Sequence, residues 1–146
     1  MIVLVHHGEA LGPEVEPMRP LSGAGRAATA RVAAAVAGRG VRPELIWHSG
    51  KLRARQTAEL FWQACNPLAP LSAARGLQPD DPPSWMRDRL LGETRSIMLV
   101  GHMPHLARLL RLLRADPPDS TPDFPLHGCV ALDGDGETWT ELWRLP

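Results

Sequence analysis

His6 and His7 stand side by side where an unbroken apolar run, Ile2-Val3-Leu4-Val5, meets Gly8-Glu9. A second apolar run, Leu99-Val100, closes in the same manner on Gly101-His102. Histidine in such a position can serve as a base, a metal ligand or a nucleophile. Ligands of open α/β sheets bind at the carboxyl ends of the strands, which is where both runs stop. A third stretch, His48-Ser49-Gly50-Lys51-Leu52-Arg53, also follows a short strand and opens a helix. A helix start offers free N–H groups and a positive dipole end, both suited to an anion. Two imidazoles, an arginine and a helix start on one sheet edge make a phosphate pocket with a nucleophile inside it.

These residues need a parallel sheet to bring them together, and the pattern along the chain supplies one. Positions 1–7 read as a strand buried on both faces, because the apolar residues are consecutive rather than alternating. Ser22 reads as the N-cap of an alanine-rich helix running to Gly38. A strand over 45–48, a helix over 52–64 and a short strand over 71–74 follow. Ser84 is expected to cap a helix through Leu91. The spacing then predicts a strand over 96–100, a helix from Pro104 to Leu113, and strands over 130–132 and 138–145. Between those last two, Asp133-Gly134-Asp135-Gly136 is a hairpin signal. Trp139 and Trp143 share parity, which places both on the sheet's inner face. The expectation is one domain over residues 1–146, a three-layer α/β/α sandwich with a mostly parallel sheet of about six strands and an antiparallel edge.

Composition excludes several function classes. The chain carries 16 basic and 16 acidic residues, so no net field draws it to nucleic acid or to an anionic membrane. No segment has the run of about 20 apolar residues a membrane span needs. Cys65 and Cys129 fit no disulfide or metal spacing and read as buried thiols of a reducing, cytoplasmic compartment. Arg108, Arg111 and Arg114 alternate with leucines as the solvated face of an amphipathic helix. His102 and His105 lie three apart, but without cysteine or carboxylate partners at ligand spacing no metal site is expected.

Taken together, the motifs resemble those of the histidine phosphatase superfamily (phosphoglycerate-mutase-like), and within it the short SixA-type phosphohistidine phosphatases. Leu4-Val5-His6-His7-Gly8-Glu9-Ala10 is similar to the family's Arg-His-Gly-Glu motif, and Met18-Arg19-Pro20-Leu21-Ser22 to its Arg-Pro-Leu-Thr element. Arg53-Ala54-Arg55-Gln56-Thr57 and Val100-Gly101-His102-Met103-Pro104 resemble its later motifs, in the same order.

The resemblance implies a metal-independent, cofactor-free phosphatase working through a phosphohistidine on His7. Arg53 and His102 would complete the catalytic group, and His6, Gly8, Arg19, Arg53 and His102 would bind phosphate. Gly8 would let backbone approach the anion. The chain departs from the family twice. His6 stands where the family carries arginine, which implies weak activity, or acid-shifted activity if a bound dianion makes His6 an imidazolium. No glutamate stands near Arg75-Gly76-Leu77-Gln78-Pro79, where larger members place a proton donor; Asp80 and Asp81 are the nearest candidates. That absence favours phosphohistidine on a phosphotransfer protein as substrate. The alternatives are a small phosphate ester, or a degenerate module that binds phosphate or a phosphoprotein without turnover.

Overall fold

The computed structural model describes residues 1–120 and 123–146. Ten elements follow one another: β1 (Ile2–His6), α1 (Gly23–Gly38), β2 (Leu45–His48), α2 (Leu52–Cys65), β3 (Leu71–Ala73), α3 (Pro83–Arg89), β4 (Ile97–Gly101), α4 (His105–Arg114), β5 (Cys129–Gly134) and β6 (Trp139–Leu145). The six strands form one sheet in the order β3-β2-β4-β1-β5-β6. The first four are parallel, β5 runs antiparallel to β1, and β6 runs antiparallel to β5. The expected mostly parallel sheet with an antiparallel edge is what forms.

Both central strands are buried on both faces, which is why their apolar residues are consecutive. Ile2 and Leu4 of β1, with Leu99 of β4, pack on one side with Met86 and Leu90 near α3 and Leu106 and Leu109 of α4. Val3 and Val5, with Val100, pack on the other with Ala33 and Val36 of α1 and Ala58 and Phe61 of α2. Three layers result. Cys65 and Cys129 are free, buried thiols, and burial pushes them up to about 11 and about 12. Among the described residues no helix is long and apolar enough to cross a membrane.

Two local expectations change. The helix expected to start from a Ser84 cap starts at Pro83, and Pro82 occupies the cap position with no side-chain hydrogen bond. Proline at a first helical position has no N–H to satisfy, so a capping side chain is not needed there. Trp139 and Trp143 do not share a face. Trp139 belongs to the core on the α3/α4 side and Trp143 packs on the α1/α2 side. A bulge is the cause: Ala131 pairs with Trp143 but Leu132 pairs with Glu141, so Leu142 is an extra residue in β6. One inserted residue reverses the alternation of every side chain beyond it.

Candidate active site

Register assembles the site. In the parallel pair β1–β4, His6 lies opposite Gly101, so His7 and His102 follow as neighbours one step past the strand ends. The His7 N–H donates to the Gly101 carbonyl at 3.1 Å, and the two rings stand 5.0 Å apart between centroids. On the next strand of that side, His48 pairs with Val100, which sets Ser49 beside His102. On the other side β5 is antiparallel, so its beginning, not its end, lies at this edge. Val5 pairs with Cys129 and the His6 N–H donates to the Gly128 carbonyl at 2.9 Å, which brings His127 beside His7. Ser49, His102, His7 and His127 form a row across four adjacent strands.

The helix α2 ties the loops to this row. Gln56 Oε1 accepts the Leu21 N–H at 2.8 Å, holding the segment that carries Arg19. Thr57 Oγ1 accepts the Gly8 N–H at 2.9 Å and donates to the Arg53 carbonyl at 2.8 Å. Arg53 projects from the first turn, with its Nε buried and without a partner. Arg19 has a left-handed backbone (φ 50°) and its Nε donates to the Leu11 carbonyl at 3.0 Å. The Arg19 guanidinium beside Arg53 helps hold the Arg53 pKa below its ordinary value, after desolvation. Two guanidinium groups that repel one another favour an anion between them. Arg55 by contrast is exposed and pairs with Glu59 at 3.4 Å, the surface role its position on the helix suggests.

Hydrogen bonds fix the tautomers, because carbonyls only accept and backbone N–H groups only donate. His7 Nδ1 donates to the Gly8 carbonyl at 2.7 Å, which leaves Nε2 with a bare lone pair. His6 Nδ1 accepts the His127 N–H at 2.8 Å, so neutral His6 carries its hydrogen on Nε2. His102 Nε2 lies 2.6 Å from Ser49 Oγ, while its Nδ1 is buried with no partner. Burial, and then positive neighbours, lower all three histidines: His7 to about 4, His6 and His102 to about 3. For His7 the Gly8 carbonyl opposes that shift. In the empty site a proton on His6 Nδ1 would face the His127 N–H, which opposes the imidazolium that a bound dianion is expected to favour.

Other expected residues make contacts of their own. The Gly8 N–H is taken by Thr57, so it is not free for an anion. A Cβ on Gly8 would lie 2.2 Å from Thr29 Oγ1 on α1, so glycine is required for close packing of loop on helix. Gly8→Ala is expected to cost about 1–3 kcal/mol, the range for overpacking, read as a lowered urea midpoint. A midpoint equal to wild type would contradict that packing role. Asp81 accepts the Gln78 N–H at 3.0 Å as part of a turn, and Asp80 is exposed. Neither is among the charges acting on His6, His7, His102 or Arg53. The residue that reaches the site from this segment is Gln78, whose amide donates to the Ser49 carbonyl at 2.6 Å. His48 is buried and its Nδ1 accepts the Gly50 N–H at 3.0 Å, which makes it a turn residue.

His127 and Ser49 carry no weight in the sequence reading. A signal existed for His127: a His-Gly pair immediately before a strand, the antiparallel mirror of His7-Gly8. Ring nitrogens of His6, His7 and His127 lie within 4.8 Å of one another, close enough to suggest a metal. Neutral His6 cannot join such a set, because its only lone pair accepts the His127 N–H.

No family model matches the sequence, and no curated protein matches it. Solved structures do. The protein histidine phosphatase SixA complexed with tungstate superposes with a TM-score of 0.83 at 22% identity, covering 99% of this chain and 95% of that one. The putative phosphohistidine phosphatase SixA from Agrobacterium tumefaciens gives 0.78 at 26% identity, covering 99% and 96%. Phosphoglycerate mutase from Plasmodium falciparum gives 0.74 at 15% identity, covering 97% and 87%.

Proposed function

We propose that this chain, which has the histidine phosphatase fold in its short SixA-type form, is a phosphatase that removes the phosphoryl group from phosphohistidine on a phosphotransfer protein. The observation that carries the reading is the His7 hydrogen bond to Gly8, which leaves Nε2 with a bare lone pair on a ring 5.0 Å from that of His102.

In this reading His7 Nε2 attacks phosphorus. The P–N bond to His7 forms as the bond to the leaving imidazole breaks; the electron pair stays on a ring whose other nitrogen is already protonated, so a neutral imidazole departs. Arg53 and Arg19 hold the equatorial oxygens, whose charge they neutralise. With Ser49 Oγ–H donating to Nε2, His102 presents Nδ1–H to the same oxygens. His6 contributes its Nε2–H as a neutral donor, weaker than an arginine. Water then attacks the phosphohistidine, the P–N electron pair returns to His7 Nε2, and phosphate leaves. Cationic and neutral donors supply the electrostatics for each step.

What surrounds the row supports this substrate class. Gln78 occupies the approach from the β3–α3 segment, and an amide cannot protonate an alkoxide leaving group. An imidazole needs less help to depart. The segment between β1 and α1 is tied to itself by backbone bonds such as Leu11 N–H to Pro20 carbonyl at 2.9 Å, and we take the sheet edge it flanks as the docking side of a bulky protein substrate. The measurement that separates the readings is turnover, with chelator present, of a phosphohistidine-bearing phosphotransfer domain against an aryl phosphate ester. A kcat/KM for the phosphoprotein at least about 100-fold higher is expected, the scale of one general-acid contribution. Preference for the ester would replace the substrate class, and binding without turnover of either would make the chain a phosphate-binding module.

A further inference from the structure

His127 has no part in the mechanism above, yet its contacts are among the most specific at the site. It stands just before β5 with a left-handed backbone, φ 54°. Its ring stacks on His6 at 4.8 Å with only 8° between planes, and lies 6.0 Å from the His7 ring. Its N–H donates to His6 Nδ1 at 2.8 Å, and its own Nδ1 donates to the His7 carbonyl at 2.7 Å. Each bond assigns a proton. His6 is kept neutral by the first. His127 keeps Nδ1–H in either charge state by the second, so Nε2 can gain a proton while every existing hydrogen bond stays in place. Protonation of His6 would break a bond, and protonation of His7 would remove the lone pair that attacks.

Charged and titratable groups stand on several sides of it. His6 and His7 on β1 flank it and feel the Arg53 charge from α2; Glu9 and Arg31, which line a cavity of about 250 Å³ with His127, are of opposite sign. A bound dianion favours a proton on a ring beside it, because an opposite charge nearby stabilises the charged form.

We propose that His127 is a further binding residue for the transferred phosphoryl group: it takes a proton from solvent onto Nε2 when a tetrahedral dianion enters, and returns it when the anion leaves. It thereby supplies the titratable charge that His6, in the place of an arginine, cannot. The role of the anion as a phosphoryl group rests on the function proposed above; the proton uptake does not.

The test is calorimetric titration with tungstate, a tetrahedral dianion with no proton of its own to exchange near neutral pH. Titrating at pH 6.5 in buffers of different ionisation enthalpy counts the protons taken up. The wild-type protein is expected to take up protons as it binds tungstate, up to about one per site, by linkage. His127→Asn tolerates the left-handed backbone and keeps an amide donor for the His7 carbonyl, but it cannot titrate. It is expected to take up none and to bind about tenfold more weakly, the lower end for a hydrogen bond to a charged group. His7→Asn is expected to keep the uptake. In the wild type, ring ¹⁵N shifts of His127 on adding tungstate report the same proton without a substitution. The proposal fails if tungstate does not bind, if wild type binds it without proton uptake, if His127→Asn matches wild type, or if His7→Asn abolishes the uptake. A protein that binds tungstate with uptake through His127 but turns over no phosphoryl substrate overturns the proposed function alone.

Discussion

Replacing His7 by asparagine is expected to lower turnover by about 10⁴-fold or more, because the proposed mechanism takes the phosphoryl group onto His7 Nε2, a lone pair that asparagine lacks. Asparagine retains an N–H that can reach the Gly8 carbonyl, so the fold should survive and thermal unfolding should change little. Acid quench of wild type during turnover should trap an acid-labile phosphoryl group that the variant lacks. Substantial turnover in the variant would remove His7 from the mechanism. The wild-type pH profile supplies the companion result. His7 acts only when Nε2 is unprotonated, and its pKa is lowered to about 4. The acid limb of kcat/KM set by His7 is therefore expected near pH 4, below the ordinary histidine range. The fold is loosened in the same direction. His6, His7 and His102 bind protons less readily folded than unfolded, so the unfolded chain takes up more protons between about pH 6.5 and 3. Stability is fully present above that window and is lost as pH falls through it. Activity at low pH has to be read alongside a melting curve.

Arg53→Lys is expected to reduce kcat/KM by about 10²–10³-fold, the effect of removing one preorganised donor at a developing charge. A lysine keeps the positive charge but loses the planar fork, so the size of the loss separates geometry from charge. The buried Arg53 Nε has no partner among the described residues, so the substitution breaks no hydrogen bond of that nitrogen there. A melting temperature near wild type should accompany the fall in rate. An unchanged rate would mean that Arg19 and His102 hold the anion without it.

Much of this architecture was readable from residue types. Consecutive apolar residues in 2–5 and 97–100 identify strands buried on both faces, and the Ser22 cap holds, its side chain accepting the Gly25 N–H at 2.9 Å. Regular alternation could not reveal the bulge at Leu142, because an inserted residue looks like any other until its partner strand is known. Nor could it assign Asp80, Asp81 and Gln78, three polar residues within four positions of a turn. Only the path of that turn decides that Gln78 reaches Ser49 while Asp81 closes the turn on itself.

The sequence by itself determined that two apolar runs close on histidine, that an arginine follows a third, and that two histidines stand side by side at the first of them. Those are local facts, set by neighbours in the chain. What only the tertiary structure decided is the protonation pattern. His6 is held neutral by the N–H of a residue 121 positions away, and that residue is in turn anchored on the His7 carbonyl. An antiparallel strand starts where parallel strands end, so β5 delivers its first residues to the edge where β1 and β4 deliver their last. Hydrogen-bond donors and acceptors then choose the tautomers, and with them which ring nitrogens keep a bare lone pair.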